Sequence, residues 1–184
     1  NHKYLFDTIY VASSYNLYEQ TDIEYFSSLQ NCNLGLCVGW QRLIPNNVLE
    51  KFTIGIFGMH GSTRNLPFGK GRSPMNWSII ESRSFFYTNL FKYLDGVDNG
   101  PIIDTEVFSI LDSDNAESLH YKNTLAMCSI IERNLENFSN NTIKYVKQDE
   151  KSGESFYPKR EPKDGIIDWD DDIFNIDRLI RAVS

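Results

Sequence analysis

The sequence predicts an α/β fold: a mostly parallel sheet layered by helices, with a late β-hairpin. Three observations predict it. The run Leu34-Gly35-Leu36-Cys37-Val38-Gly39-Trp40 is apolar on both faces, as a central strand of a parallel sheet would be. Short apolar runs alternate with segments carrying helix-start signals, the order typical of α/β architectures. Gly96-Val97-Asp98-Asn99-Gly100 separates two aromatic and β-branched runs at 85–93 and 101–110, which is a hairpin signal.

Taken in order, residues 8–13 read as a short buried strand and 22–29 as a short helix. The strand at 34–40 is followed by Pro45, and 45–51 suits a helical turn. An apolar strand at 52–57 leads into a loop beginning near Phe57. Ser73-Pro74 pairs an N-cap residue with proline at the first helical position, so a helix is expected from 74 to 81. Asp114-x-x-Glu117 resembles a capping box. Beyond it Leu119, Met127, Ile130, Ile131, Leu135 and Phe138 fall at helical spacing and should face the core, leaving His120 a structural residue. Residues 147–154 form a polar loop, and 176–183 a closing short helix. We expect a catalytic domain at 1–155 and the start of a small C-terminal subdomain at 156–184.

The 184 residues allow one domain with a sizeable core, and 41% hydrophobic content fits a globular chain. A net charge of -7 disfavours nucleic acid, whose binding needs a concentrated basic face. No apolar run is long enough to span a membrane and no signal peptide is evident, so a cytoplasmic location is expected. The three cysteines then remain reduced, and their spacing suits no metal. On the same ground the glycosylation sequons at Asn76, Asn137 and Asn140 are coincidental. The first residue is Asn1, and we expect a piece of a longer chain.

The chemistry concentrates at 57–74, where one histidine, three basic residues and four glycines share a single run. His60 can accept and return a proton near neutral pH. The glycines allow close approach of the backbone to a ligand. Arg64, Lys70 and Arg72 supply local positive charge for a substrate anion. The Gly69-Lys70-Gly71 triplet is not a nucleoside-triphosphate loop, which needs Ser or Thr after the lysine.

Four motifs in order carry a resemblance. They are Gly39-Trp40-Gln41-Arg42-Leu43-Ile44-Pro45; His60-Gly61-Ser62 with Leu66-Pro67 and Gly71-Arg72-Ser73-Pro74; Asp95-Gly96-Val97-Asp98-Asn99-Gly100-Pro101-Ile102-Ile103; and Asp164-Gly165-Ile166-Ile167-Asp168-Trp169 with Arg178-Leu179-Ile180-Arg181-Ala182. Together they resemble the 10-formyltetrahydrofolate-dependent formyltransferases, which include methionyl-tRNA formyltransferase and the sugar N-formyltransferases. The resemblance runs from about residue 34 to the end and implies a Rossmann-like fold whose first strand and helix lie upstream. It implies a substrate amine attacking the formyl carbon through an oxyanion, with His60 handling the proton and Asp98 supporting the imidazole. It further implies that Trp40, Gln41, Arg42, Leu43 and Ile44 line a pterin pocket and that Ser62, Leu66 and Pro67 hold the folate. No metal is needed, and a homodimer is compatible with it.

One position departs from the pattern. The family has Asn-x-His, its asparagine helping to stabilise the oxyanion, where this chain has Gly58-Met59-His60. A backbone N–H, a water or a side chain such as Asn65 is expected to replace that donor, with the space beside Met59 already filled. The favoured acceptor is an amino sugar on a nucleotide. A methionyl-tRNA formyltransferase-like enzyme, a formyltetrahydrofolate hydrolase and a non-catalytic folate or sugar-nucleotide binding module stand as alternatives.

Overall fold

The computed structural model describes residues 7–30, 32–40, 42–149, 151 and 153–184. The chain runs α1 (Gln20–Ser28), β1 (Cys32–Cys37), α2 (Asn46–Leu49), β2 (Phe52–Ser62), β3 (Lys70–Gly71) and α3 (Pro74–Ile80). It continues with β4 (Phe85–Lys92), β5 (Ile102–Ser109), α4 (Ala116–Asn140), β6 (Phe156–Tyr157), a 3₁₀ turn (Pro162–Gly165) and α5 (Ile173–Val183). The main sheet has the order β1-β2-β4-β5, and β3 pairs with β6 in a small second sheet. β1 and β2 are parallel, while β4 is antiparallel to both β2 and β5. Three of the four strands therefore point one way, and the α/β expectation with its late hairpin, β4–β5, holds.

The core forms where β2 and β4 meet the long helix α4. Phe57, Leu90 and Ile130 are fully buried and pack with Phe138, whose ring centroid lies 5.2 Å from that of Phe57. Each such side chain contributes about 1.5–3 kcal/mol by leaving water. A second cluster joins Met75, Ile79, Phe86, Leu119 and Ala182, so α5 packs on α3 and the sheet. Asn76 of α3 donates to the Ala182 carbonyl, and Trp77 Nε1 donates to Pro158 O at 3.2 Å. These contacts, with the β3–β6 pairing, tie residues after 155 to those before it.

Several expectations shift. Residues 8–13 pair with no strand among the described residues. They are drawn instead to buried Asp22, whose carboxylate accepts from Tyr10 Oη (2.6 Å), Ser13 N (2.7 Å) and Ser14 N (2.9 Å). Burial alone would raise this carboxyl, but those hydrogen bonds outweigh it and hold its pKa down at about 2. β1 ends at Cys37 and is the edge of the sheet among the described residues, which leaves Leu36 and Val38 exposed. The capping box of α4 starts one residue later than expected. Asn115 accepts from Ser118 N at 2.9 Å and Ser118 Oγ accepts from Asn115 N at 3.0 Å, while Asp114 accepts from Leu111 N and Lys122. The stripe of α4 is also more polar than its apolar residues suggest. Leu135 is exposed, whereas Asn123 and Asn134 are buried and bonded to Thr88 and Asp104. α5 begins at Ile173, because Asp172 accepts from Phe174 N at 2.8 Å and caps it there.

Candidate active site

β2 runs past the predicted loop start and carries His60 within its ladder, opposite Asn89 of β4. The chain after Ser62 folds back across the strand. Ser62 Oγ donates to Phe68 O at 2.6 Å, Gly69 N donates to Ser155 Oγ at 2.8 Å, and Gly69 O then lies 3.0 Å from His60 Nε2. Gly69 has φ of 75°, and a Cβ there would come within 2.5 Å of Ser62 Oγ, so this fold-back requires glycine.

The other ring nitrogen faces Asp98. Nδ1 and Oδ2 are 3.5 Å apart, with side chains only 12% and 20% exposed. Asp98 sits at the hairpin tip in a left-handed conformation, φ 48°, which Asp tolerates better than most residues. Gln148 Nε2 braces that tip by donating to Asp98 O at 2.7 Å and to Gly100 O at 2.8 Å. His60 therefore stands between two acceptors. A neutral imidazole has one N–H and can donate to only one of them, leaving its second nitrogen basic.

The pair opens into a cavity of about 620 Å³. One wall comprises Trp40, Arg42, Leu43 and Ile44; another comprises Gly71, Arg72, Ser73 and Pro74; Tyr93 and the hairpin tip close a third. Trp40 stacks on Tyr15 at 4.8 Å, and the Arg42 guanidinium lies 5.5 Å from the same tyrosine ring. The segment anchored at Asp22 thus reaches Tyr15 and buttresses this wall.

The predicted site residues divide. His60, Asp98, Trp40, Arg42, Leu43, Ile44 and Arg72 converge on the cavity, while Gln41 lies outside the described residues. Ser62 is fully buried in the fold-back, and Leu66 packs with Phe91 and Ile102, so these two and Pro67 stand outside the lining. Lys70 is not available to a substrate anion: it is 2% exposed and its Nζ lies 2.9 Å from Glu154. Arg64 lies over the Phe68 ring and stands outside the lining. Ser73 precedes α3 in a left-handed conformation with no side-chain cap. Exposed Asn65 also stands outside the lining. Two residues escaped the sequence reading, Gln148 and Tyr93. Gln148 gave no signal in a charged loop, whereas Tyr93 sits directly before the hairpin motif.

A second depression of about 460 Å³ lies between β5 and α4. Its charged groups are already paired, Glu106 with Arg133 and Lys122 with Asp114. Among the described residues no group of three or more His, Cys, Asp or Glu could hold a metal ion, and no helix is long and apolar enough to cross a membrane.

The sequence profile described as "Formyl transferase" matches residues 8–131. The chain belongs to the formyl transferase family. Solved structures within reach of the family fold agree. HypX from Aquifex aeolicus, in complex with tetrahydrofolic acid, superposes with a TM-score of 0.70 at 22% identity over 82% of this chain and 25% of its own. WlaRD, a sugar 3N-formyl transferase solved in the presence of dTDP and 5-N-formyl-THF, gives 0.67 at 26% identity over 80% of this chain and 52% of its own. An N-formyltransferase from Helicobacter canadensis, in complex with folinic acid and dTDP-3-aminofucose, gives 0.63 at 27% identity over 77% of this chain and 53% of its own. The chain thus spans about a quarter of HypX and about half of the other two.

Proposed function

We propose that this formyl transferase domain moves a formyl group from 10-formyltetrahydrofolate to a primary amine, the amine of a nucleotide-linked amino sugar. The observation that carries the reading is the His60–Asp98 pair opening into the cavity. In the tautomer that donates Nε2–H to Gly69 O, the basic nitrogen is Nδ1, beside the Asp98 carboxylate. The acceptor nitrogen attacks the formyl carbon, forming a C–N bond and a tetrahedral oxyanion. Its proton passes to Nδ1, and Asp98 stabilises the imidazolium that results. The bond from carbon to N10 of the folate then breaks, N10 takes the proton, and a formamide and tetrahydrofolate leave.

Trp40, Leu43 and Ile44 offer an apolar wall for the pterin, and Arg42 and Arg72 bring positive charge to the same cavity. The sugar acceptor is favoured by WlaRD, a sugar 3N-formyl transferase solved in the presence of dTDP, and by the Helicobacter canadensis N-formyltransferase solved with dTDP-3-aminofucose. The test is to incubate the full-length protein with 10-formyltetrahydrofolate and a panel of nucleotide-linked amino sugars, following tetrahydrofolate release and formamide by mass spectrometry. Release that depends on one acceptor, and survives chelation, is the expected result. Release without any acceptor dependence, or none at all, refutes it.

A further inference from the structure

The reaction needs a hydrogen-bond donor for the oxyanion, and the cavity holds one in an unexpected place. Gly58 and His60 are two residues apart on β2, so side chains at both positions point to one face of the sheet. At Gly58 that space is taken. A Cβ built there would lie 2.2 Å from Tyr93 Cε1, 2.3 Å from Cζ and 2.3 Å from the hydroxyl oxygen. The phenol end of Tyr93 thus occupies the volume that a side chain at 58 would fill, next to His60. Its backbone is pinned there, Tyr93 N donating to Ile56 O at 2.8 Å, and the residue lines the same cavity as His60 and Asp98.

We propose that the Tyr93 hydroxyl is the donor that holds the formyl oxyanion, and that glycine stands at 58 because the phenol needs the room. This role rests on the formyl-transfer reading above. Burial, with Cys37 and Asp98 nearby, pushes the phenol pKa well up, so it keeps its O–H across the working pH range. Cys37 is close enough to act on the phenol, and burial raises its own pKa, so its sulfur stays a neutral thiol. A thiol is a weak acceptor and competes poorly for the hydroxyl with an oxyanion, which binds a donor about twice as strongly as a neutral group does.

The test separates the hydroxyl from the ring. Tyr93→Phe keeps the ring and removes only the O–H. It should lower kcat by about 10²-fold, the scale of one oxyanion donor, with unchanged folinic acid affinity and melting temperature. Gly58→Asn alone should lower kcat as well, because its Cβ collides with the phenol. In the exchange variant Gly58→Asn/Tyr93→Ala, a carboxamide enters the vacated space, and kcat should rise about tenfold over Tyr93→Ala alone. A Tyr93→Phe enzyme within about threefold of wild type, a gain from Gly58→Asn alone, or an exchange variant no better than Tyr93→Ala overturns the role. Wild-type protein that releases no tetrahydrofolate with any acceptor removes the formyl-transfer reading and this role together. Active wild type with an equally active Tyr93→Phe removes only the latter.

Discussion

Asp98→Asn isolates the electrostatic part of the proposed mechanism. The structure makes it a clean substitution. Asparagine accepts the left-handed φ of 48° at least as readily as aspartate, and the backbone carbonyl still takes its bond from Gln148. Only the charge changes. At the observed 3.5 Å, a full imidazolium and carboxylate attract by about 5 kcal/mol in an effective dielectric of about 20. Both groups keep some contact with water, which trims this to about 3–4 kcal/mol. With about 1.4 kcal/mol per decade of rate, kcat should fall by about 10²–10³. Single-turnover formation of tetrahydrofolate, alongside folinic acid titration and thermal melting, is the assay. Affinity and melting temperature should hold while the chemical step slows. Asp98→Ala should lose the same rate and some stability too, since alanine is disfavoured at positive φ. An Asp98→Asn enzyme turning over within about threefold of wild type would refute the argument, because 3–4 kcal/mol cannot vanish from a rate it controls.

Two further predictions follow from neighbouring geometry. His60→Asn should lower kcat by a factor on the order of 10² or more, and His60→Asn/Asp98→Asn should be little worse than the poorer single variant, because the pair acts as a unit. Additive losses in that cycle would show two independent roles. Asp22 sets a pH dependence outside the site. Its pKa of about 2 lies below the usual carboxylate value of about 4, so the hold on residues 7–15 is present above that value and is lost as pH falls towards 2. Fluorescence of Trp40, which stacks on Tyr15, should report the release, and Asp22→Asn should abolish the transition while leaving residues 7–15 loose at neutral pH.

The parts of the fold that the sequence made legible are those where local and global signals agree. The hairpin around Gly96–Gly100 and helix α4 were both clear from periodicity and turn chemistry. Where a local signal was outvoted by a distant partner, the reading failed. Residues 8–13 are apolar enough for a strand, but the Asp22 carboxylate takes their donors. β2 extends to Ser62 because β4 supplies a ladder partner as far as Tyr87, overriding the glycines that suggested a loop. At the candidate site, motif order singles out His60 and Asp98, which the fold brings to 3.5 Å, whereas the exposure expected of Lys70 fails because its partner, Glu154, lies 84 residues away. Gly58 looked like a loss and acquires a reason only through Tyr93, which no spacing links to it.

The placement of His60 inside the ladder has a practical consequence for redesign. Its position is fixed by the β2–β4 ladder, where it pairs with Asn89, and moving it by even one register step would turn it to the opposite face of the sheet. The lining residues at 40, 42–44 and 94–97 belong to connecting segments outside that ladder. To alter the acceptor of the proposed reaction, diversification therefore belongs at 94–97, because the wall of Trp40, Leu43 and Ile44 is assigned to the pterin, and residues 57–62 are left untouched. Libraries that randomise the strand would disturb the ladder that holds His60, and libraries that randomise 94–97 would sample pockets around a fixed His60.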